Sequence, residues 1–461
     1  MFYYNNTRNL LSRTIDIQTS VIKIFDIMKT LTIIGGGLSG SEAAWQAAQR
    51  GITVRLFEMR PDKTTGAHKT DLLGELVCSN SLRSKEPVTS AGLLKDELRT
   101  VGSLLMEAAA GCSVPAGSAL AVDRKLFAEY ITQRLLTHPL IEVTREEVAE
   151  IPGGPCIVAT GPLTSDALSD SLRRVIGGDY LYFYDAIAPI VEADSIDYSK
   201  VFRASRYGKG DPDYLNCPMD RDEYERFYNA LLEADMVTPR AFEDERVFEG
   251  CMPVEVMARR GKETLRFGPM KPVGLTDPHT GNVPYAVVQL RIENRDATAY
   301  NIVGFQTRLK WPEQKRVFNL IPGLENAVFM RYGSIHRNTF INGPMFLNPD
   351  LTLKVSPETY IAGQLSGVEG YIESTAMGIL AGINAARRLK GMSFIAPPVE
   401  SAHGSLIRYI TTSPPEGFQP SNINFGLLPA PDIRIKDKKK RRAYIVEKAL
   451  AAWNEYLRVF E

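Results

Sequence analysis

Residues 31–40, LTIIGGGLSG, constrain the fold more than any other stretch of the chain. Leu31, Thr32, Ile33 and Ile34 are aliphatic or β-branched and read as a buried strand. Gly35, Gly37 and Gly40 follow with the spacing G-x-G-x-x-G, and an Ala-rich helix is expected from about Ser41. A second strand, 52–57, ends at Glu58. In such a strand–turn–helix one glycine makes the tight turn, one lets the backbone approach a pyrophosphate, and one lets the helix pack on the strand. The phosphates sit at the positive end of the helix dipole, where free N–H groups point outward. Gly35, Gly36, Gly37, Leu38, Ser39 and Gly40 are therefore candidate phosphate-binding residues. Glu58 is the candidate acceptor for ribose hydroxyls. A glycine turn alone could be structural, but strand, helix and terminal acid all fall in place here. The unit is read as an α/β, Rossmann-like dinucleotide site.

The choice between FAD and a nicotinamide dinucleotide turns on the rest of the chain. Residues 156–162, CIVATGP, read as another buried strand with a glycine exit at Gly161. Residues 360–363, YIAG, read as a late strand returning to the same sheet, followed by a Gly/Ala-rich helix from about Ser374 to Leu389. Gly363, Gln364, Gly370 and Tyr371 lie between them and are candidate flavin contacts. Gln364 stands where many flavoproteins place an Asp, so the contact is expected from backbone N–H groups. A plain dehydrogenase needs only the first half of this arrangement, and no second G-x-G-x-x-G is visible for NADPH or NADH. FAD as a bound prosthetic group is the expectation, in a fold of the two-dinucleotide flavoprotein type.

The texture changes from about Asp185 to strands separated by polar loops, with 247–249, 264–267 and 286–292 (AVVQLRI) as examples. The expected division is a dinucleotide domain over 28–185 and 325–461, with a smaller α+β domain over 186–324 inserted for the substrate. Residues 91–111 carry helical apolar spacing and are read as one core-facing helix. Residues 396–432 are Pro-rich and read as irregular, and the basic run 436–442 opens a terminal helix. Residues 1–27 are read as an upstream extension, disordered or a misassigned start, rather than a targeting segment.

At 461 residues, 44% hydrophobic and 23% charged, the chain has the make-up of a two-domain globular protein. Lys plus Arg and Asp plus Glu balance at 54 each, so any site for a polyanion must be a local patch. No apolar run reaches the ~20 residues of a membrane span. Five cysteines without C-x-x-C spacing argue against a disulfide framework and a zinc ribbon, so no metal is expected, and the reducing cytoplasm is the expected compartment.

Five segments carry a family resemblance: IIGGGLSGSEAAWQAAQRG, FEMRPDKTTGAHKTDLLGELVCSNSLRS, VFEGCMPVEVMARRG, LRFGPMKPVGL and AGQLSGVEGYIESTAMG. Together they resemble the folate- and FAD-dependent tRNA (uracil-5-)-methyltransferases, from about Met28 to the C-terminus. A larger flavoprotein that modifies the wobble uridine shares the first motif but adds a long helical extension absent here. The resemblance implies formation of 5-methyluridine at position 54 of the tRNA T-loop. The carbon would come from 5,10-methylenetetrahydrofolate, with FAD reduced by NADPH or NADH.

The residues suit that chemistry on their own terms. Uracil C5 becomes a nucleophile only after something adds to C6, and a thiolate adds and leaves reversibly. Cys251 is the candidate nucleophile, with Arg259, Arg260, Lys262 and Arg266 close behind to lower its pKa and hold phosphates. Cys78 resembles the family's second functional cysteine, with a proton-handling role at C5. Cys112, Cys156 and Cys217 are read as structural. The resemblance places His336 against the folate ring. For tRNA the candidates are Arg203, Arg206, Tyr207 and Lys209, the 259–266 group and the 436–442 run, the last equally readable as a solvated face. The T-loop uridine would have to be flipped out of folded tRNA. A small-molecule flavin oxidoreductase without an RNA partner is the competing reading.

Overall fold

The computed structural model describes residues 30–177, 181–208, 210–237 and 252–460. Its first lobe is built on a six-stranded sheet. Across the sheet run Thr352–Leu353, Ser356–Ile361, Cys156–Val158, Thr30–Ile34, Thr53–Glu58 and Ile141–Arg145. Only the first of these pairs antiparallel; the other five strands are parallel, with Ile34 opposite both Phe57 and Val158, and Val158 opposite Ile361. That register aligns the carboxyl ends of four strands on one edge, where open α/β sheets bind ligands. Leu31, Ile33, Val54, Leu56, Ile157 and Val158 are fully buried, as expected of parallel strands covered on both faces.

Two helices cross behind this edge, and their contact explains the small residues on both. In the Leu38–Gln49 helix every residue through Ala48 is buried. It lies against the Tyr371–Leu389 helix so closely that a Cβ on Gly378 would meet the Ser39 carbonyl oxygen at 2.3 Å. On Gly382 it would meet the Ala43 oxygen at 2.5 Å. Glu42, buried on the first helix, accepts from Ser103 Oγ (2.8 Å) and from the amides of Leu104 and Leu105 (3.3 and 3.1 Å).

That carboxylate marks a departure from the single helix expected over 91–111. The segment is two helices, Ser90–Thr100 and Leu104–Gly111, broken where Gly102 takes φ +72 and Ser103 caps the second through Met106 N–H. Other boundaries also move. The first helix begins at Leu38 rather than Ser41, because Gly40 lies inside its opening turn, where a Cβ would strike the Gly35 oxygen at 1.8 Å. The late helix begins at Tyr371 rather than Ser374. Thr264–Phe267, expected as a strand, is a short helix. The Pro-rich 396–432 region contains a helix, Ala402–Thr412, capped by Ser401 through Gly404 N–H at 2.9 Å.

The second lobe is a six-stranded antiparallel sheet. Its order is Phe202–Arg203, Leu215–Met219, Ala286–Ile292, Ala299–Ile302, Ile190–Glu192 and Phe329–Arg331. The last strand lies beyond 324, so the chain leaves this sheet later than the sequence division places it. Its core gathers Cys217, Tyr224, Phe227, Val288, Phe305 and Phe318. An antiparallel ribbon of Leu181–Ala186 and Ile335–Phe340 carries the chain out of the first lobe and back. Residues 1–27, Lys209, 247–249 and Cys251 lie outside the described residues.

Candidate cofactor and active site

The glycine motif sits where the strand register requires. Gly35 turns with φ +103, and a Cβ there would press into Thr160 Cα and the Ala159 carbonyl at 2.7 and 2.8 Å. Gly37 precedes the first helix with no side-chain cap, and a Cβ on it would meet nothing within 4 Å. The first-turn amides of Leu38, Ser39 and Gly40 have no intrahelical acceptor. Ser39 Oγ, 4% exposed at most, is a buried hydroxyl without a hydrogen-bond partner. An open glycine, uncapped amides and an orphaned hydroxyl at a helix N-terminus together make an anion cradle.

Glu58 lies beside it, with burial opposed and outweighed by the Arg60 hydrogen bond and charge, so its pKa is below the ordinary carboxylate value. It accepts from Gly36 N–H (2.9 Å) and from Arg60 Nε (2.8 Å). Arg60 is itself buried and bonded to Glu75 Oε2 at 2.8 Å. Glu58 keeps lone pairs for a further donor, but part of its charge is already matched. The cavity against it, about 60 Å³, is walled by Gly35, Gly37, Arg60, His68 and Thr160. His68 is held neutral to about pH 4, by burial first and then by Arg60.

A second cavity of about 150 Å³ opens past the Gly161–Leu163 turn, where Gly161 has φ +65. Cys78, Arg83, Asn338, Gln364, Glu369 and Tyr371 face it. Leu163 borders both cavities. Gly363 (φ +73) approaches the first helix so closely that a Cβ would meet Ser39 Cβ at 2.8 Å, which ties the two cavities' walls together. Gly370 (φ +111) precedes the 19-residue Tyr371–Leu389 helix, whose first turn holds the buried Glu373 carboxyl. Gln364 donates to Glu369 Oε2 at 2.6 Å. A carboxylate is therefore present near the strand exit after all, five residues later than the common Asp position.

Cys78 is half-buried, and its amide donates to Tyr371 Oη at 2.7 Å. Burial first, then the neighbouring Cys78, raise the Tyr371 phenol well above its ordinary range, so it stays protonated. Three arginines fix the 76–80 segment. Arg124 donates to the carbonyls of Leu76 (2.7 Å) and Cys78 (2.6 Å) and pairs with Glu293. Arg331 donates to Val77 O at 2.7 Å. Arg291, 6% exposed, donates to Asn80 Oδ1 (3.0 Å) and Ser79 Oγ (2.8 Å). Arg291 and Arg331 come from the second lobe's sheet.

The remaining cysteines are of another kind. Burial pushes Cys156 up to about 11 and raises Cys112 and Cys217 as well, which leaves them inert thiols. His336 lies on the ribbon opposite Asp185, next but one to the cavity residue Asn338. The basic candidates of the second lobe do not line the cavity. Arg203 Nη2 donates to Tyr300 Oη at 2.9 Å. Arg206 donates to Gln289 Oε1 at 3.1 Å and to the Lys271 carbonyl. Lys262 pairs with Glu225 at 2.6 Å, and Arg266 lies over Tyr285 and pairs with Glu263. Arg259 and Arg260 are exposed at the end of the Val254–Arg259 helix.

The sequence did not single out Arg83, Arg124, Arg291, Arg331 or Glu369. Arg291 left a trace, a charge inside the otherwise apolar AVVQLRI strand. Arg83 left none, since its φ of +66 is invisible in the residue type. Among the described residues no group of three or more His, Cys, Asp or Glu could hold a metal, and no helix is long and apolar enough to cross a membrane.

The parallel sheet, the uncapped glycine turn and the closing strand–helix unit define an FAD-binding, Rossmann-like α/β flavoprotein fold. A family model described as glucose inhibited division protein A matches residues 30–393. A "methylenetetrahydrofolate--tRNA-(uracil-5-)-methyltransferase TrmFO" of Geobacter sulfurreducens is 59% identical over 429 residues, 93% of this chain and 98% of that protein. One from Desulforudis audaxviator is 58% identical over 426 residues, 91% and 97% of the two chains. A crystal structure of Aquifex aeolicus GidA superposes with a TM-score of 0.69 at 20% identity, covering 94% of this chain and 73% of that one. The chain belongs to the methylenetetrahydrofolate-dependent tRNA (uracil-5-)-methyltransferase family.

Proposed function

We propose that this protein methylates uracil C5 in tRNA, at the T-loop uridine, with 5,10-methylenetetrahydrofolate as the carbon donor and reduced FAD as the electron source. The observation that carries the reading is the 56–59% identity to relatives so named, running over at least 96% of each relative's length. Gly35 to Gly40 would hold the FAD pyrophosphate, with Ser39 Oγ as an added donor, and Glu58 the ribose. Gly161, Gly363, Gln364, Gly370 and Tyr371 would border the flavin. When bound, FAD supplies reducing equivalents obtained from NADPH or NADH.

The chain's own residues divide the remaining work. The Cys251 thiolate adds to uracil C6 and makes C5 nucleophilic; once C5 is substituted, its proton must leave before the thiolate can depart. Cys78 takes that proton, held in place by the Tyr371 hydroxyl and the three arginines. His336 packs on the folate. Arg203, Arg206, Arg259, Arg260 and Lys262 serve the tRNA, with Arg259 and Arg260 exposed at the end of a helix.

A single-turnover experiment tests the reading. Photoreduced protein is mixed with unmodified tRNA and methylene-labelled folate, and label is expected in T-loop 5-methyluridine. Yellow, reducible protein that leaves the tRNA unlabelled would replace this reading with the small-molecule oxidoreductase. Covalent trapping on 5-fluorouracil-containing RNA tests the nucleophile, and trapping that survives Cys251→Ala rejects that assignment.

A further inference from the structure

Residues 434–442, RIKDKKKRR, hold seven cations and one acid in a chain whose Lys plus Arg and Asp plus Glu are equal overall, at 54 each. Lys438 begins the 23-residue terminal helix Lys438–Phe460, and its first turn contains no acidic residue. The single acid, Asp437, is used as the cap: it accepts from Lys440 N–H at 2.7 Å. Lys436, Lys438, Lys439, Lys440 and Arg441 are exposed, and none enters an ion pair among the described residues. This arrangement opposes the helix dipole, because cations crowd the end that already carries partial positive charge. A face that merely needed to be wet would be more stable with either sign mixed in.

The patch also has a short path to the active-site cavity. The Arg442 guanidinium lies over the Phe425 ring at 5.0 Å. Ile423 is two residues from Phe425, about 7 Å of chain at most. The Ile423 carbonyl accepts from Arg83 Nη2 (3.4 Å) and Ser90 Oγ (3.0 Å), and its N–H donates to Glu373 Oε1 (2.9 Å). Arg83 faces the cavity that holds Cys78. One loop thus has the basic helix end on one side and the cavity wall on the other.

We propose that the 436–442 face of the terminal helix is a docking surface for the phosphate backbone of the tRNA whose uridine enters the Cys78 cavity; this rests on the functional reading above. The face supplies affinity and direction but reads no base. It is an electrostatic contact, so its strength falls as salt rises.

The test replaces Lys438, Lys439, Lys440 and Arg441 together by Gln in the full chain. KM for tRNA is expected to rise about tenfold or more near 0.1 M salt, and the slope of log affinity against log salt to flatten by roughly three. Flavin content stays as in the unmodified protein. Thermal stability at low salt rises, because four cations have left the positive end of a helix. The corresponding variant with Arg at all four positions keeps the original KM and salt slope. An unchanged KM and salt slope, in a protein whose parent methylates tRNA, overturns the proposal. So does a fall in stability with flavin loss, or loss of binding to phosphatidylglycerol vesicles while KM for tRNA holds. A parent protein that leaves tRNA unmethylated defeats the functional reading itself, and the docking surface falls with it.

Discussion

At the scale of single residues, Cys78 and His68 make opposite use of burial. Cys78 is only half-buried, its backbone is pinned on both sides, and its side chain faces the cavity. Cys78→Ala is expected to lower kcat by about 10²–10⁴, the range of a lost acid–base group, while flavin absorbance stays normal. Single-turnover rates on flavin-replete protein check this; loss of flavin together with activity would make Cys78 a structural residue. His68 titrates near 4 in the folded protein and near 6.5 unfolded. Between those values the unfolded chain binds a proton that the folded one refuses, so stability falls as pH drops from 6.5 towards 4. Below 4 both states are protonated and this loss is complete, at most about 3 kcal/mol. Denaturant titrations of His68→Gln should show a flatter stability profile across that window, and an unaltered profile would assign the acid sensitivity elsewhere.

Among elements, the contact between the Leu38–Gln49 and Tyr371–Leu389 helices links cofactor binding to stability. Gly378→Ala would put a Cβ 2.3 Å from the Ser39 oxygen, and backbone cannot yield as a side-chain tip can. The helices must separate, which is expected to cost about 1–3 kcal/mol, as overpacking does. Because Ser39 belongs to the anion cradle, flavin retention should fall as well. Gly111→Ala, with nothing within 4 Å of its Cβ, is the control, expected to be neutral or slightly stabilising. Thermal melts with flavin stoichiometry for both variants decide the point. The sequence announced these helices but not their ends. A glycine motif marks a turn, yet Gly40 is inside the helix because its missing Cβ is needed against Gly35. The break at Gly102 escaped apolar periodicity because it is enforced from outside, by the buried Glu42 on another helix. Thr264–Phe267 has the β-branched and aromatic content of a strand and lacks only a partner to pair with.

For the whole molecule, the first lobe was legible because each of its devices is local: a run of aliphatics, a glycine turn, an acid at a strand end. The second lobe's sheet was legible as a texture but not as a surface, since antiparallel registry is set by partners far along the chain. Its consequence for the site was wholly hidden. Arg291 and Arg331, on strands of the second sheet, hold the loop that carries Cys78 in the first. With Arg124 they gather three guanidinium groups around one loop, with Glu293 as the carboxylate paired to Arg124. Burial disfavours the charge on both Arg291 and Arg331, so these contacts stand against a desolvation penalty. Arg291→Met removes the donors to Ser79 and Asn80 yet keeps a side chain of similar reach. Folding should lose about 1.5–3 kcal/mol, the range for hydrogen bonds to a charged group, partly offset by relief of that penalty. The larger effect is expected on catalysis, a fall in kcat of about 10-fold or more with flavin content intact, because a small misplacement of a reacting group is costly. Arg291→Lys, a point charge that cannot serve both acceptors in one plane, should recover stability better than rate. Should both variants turn over like the parent while melting earlier, the arginine only fastens the lobes together. A rate loss that exceeds the stability loss means the second lobe sets the position of Cys78.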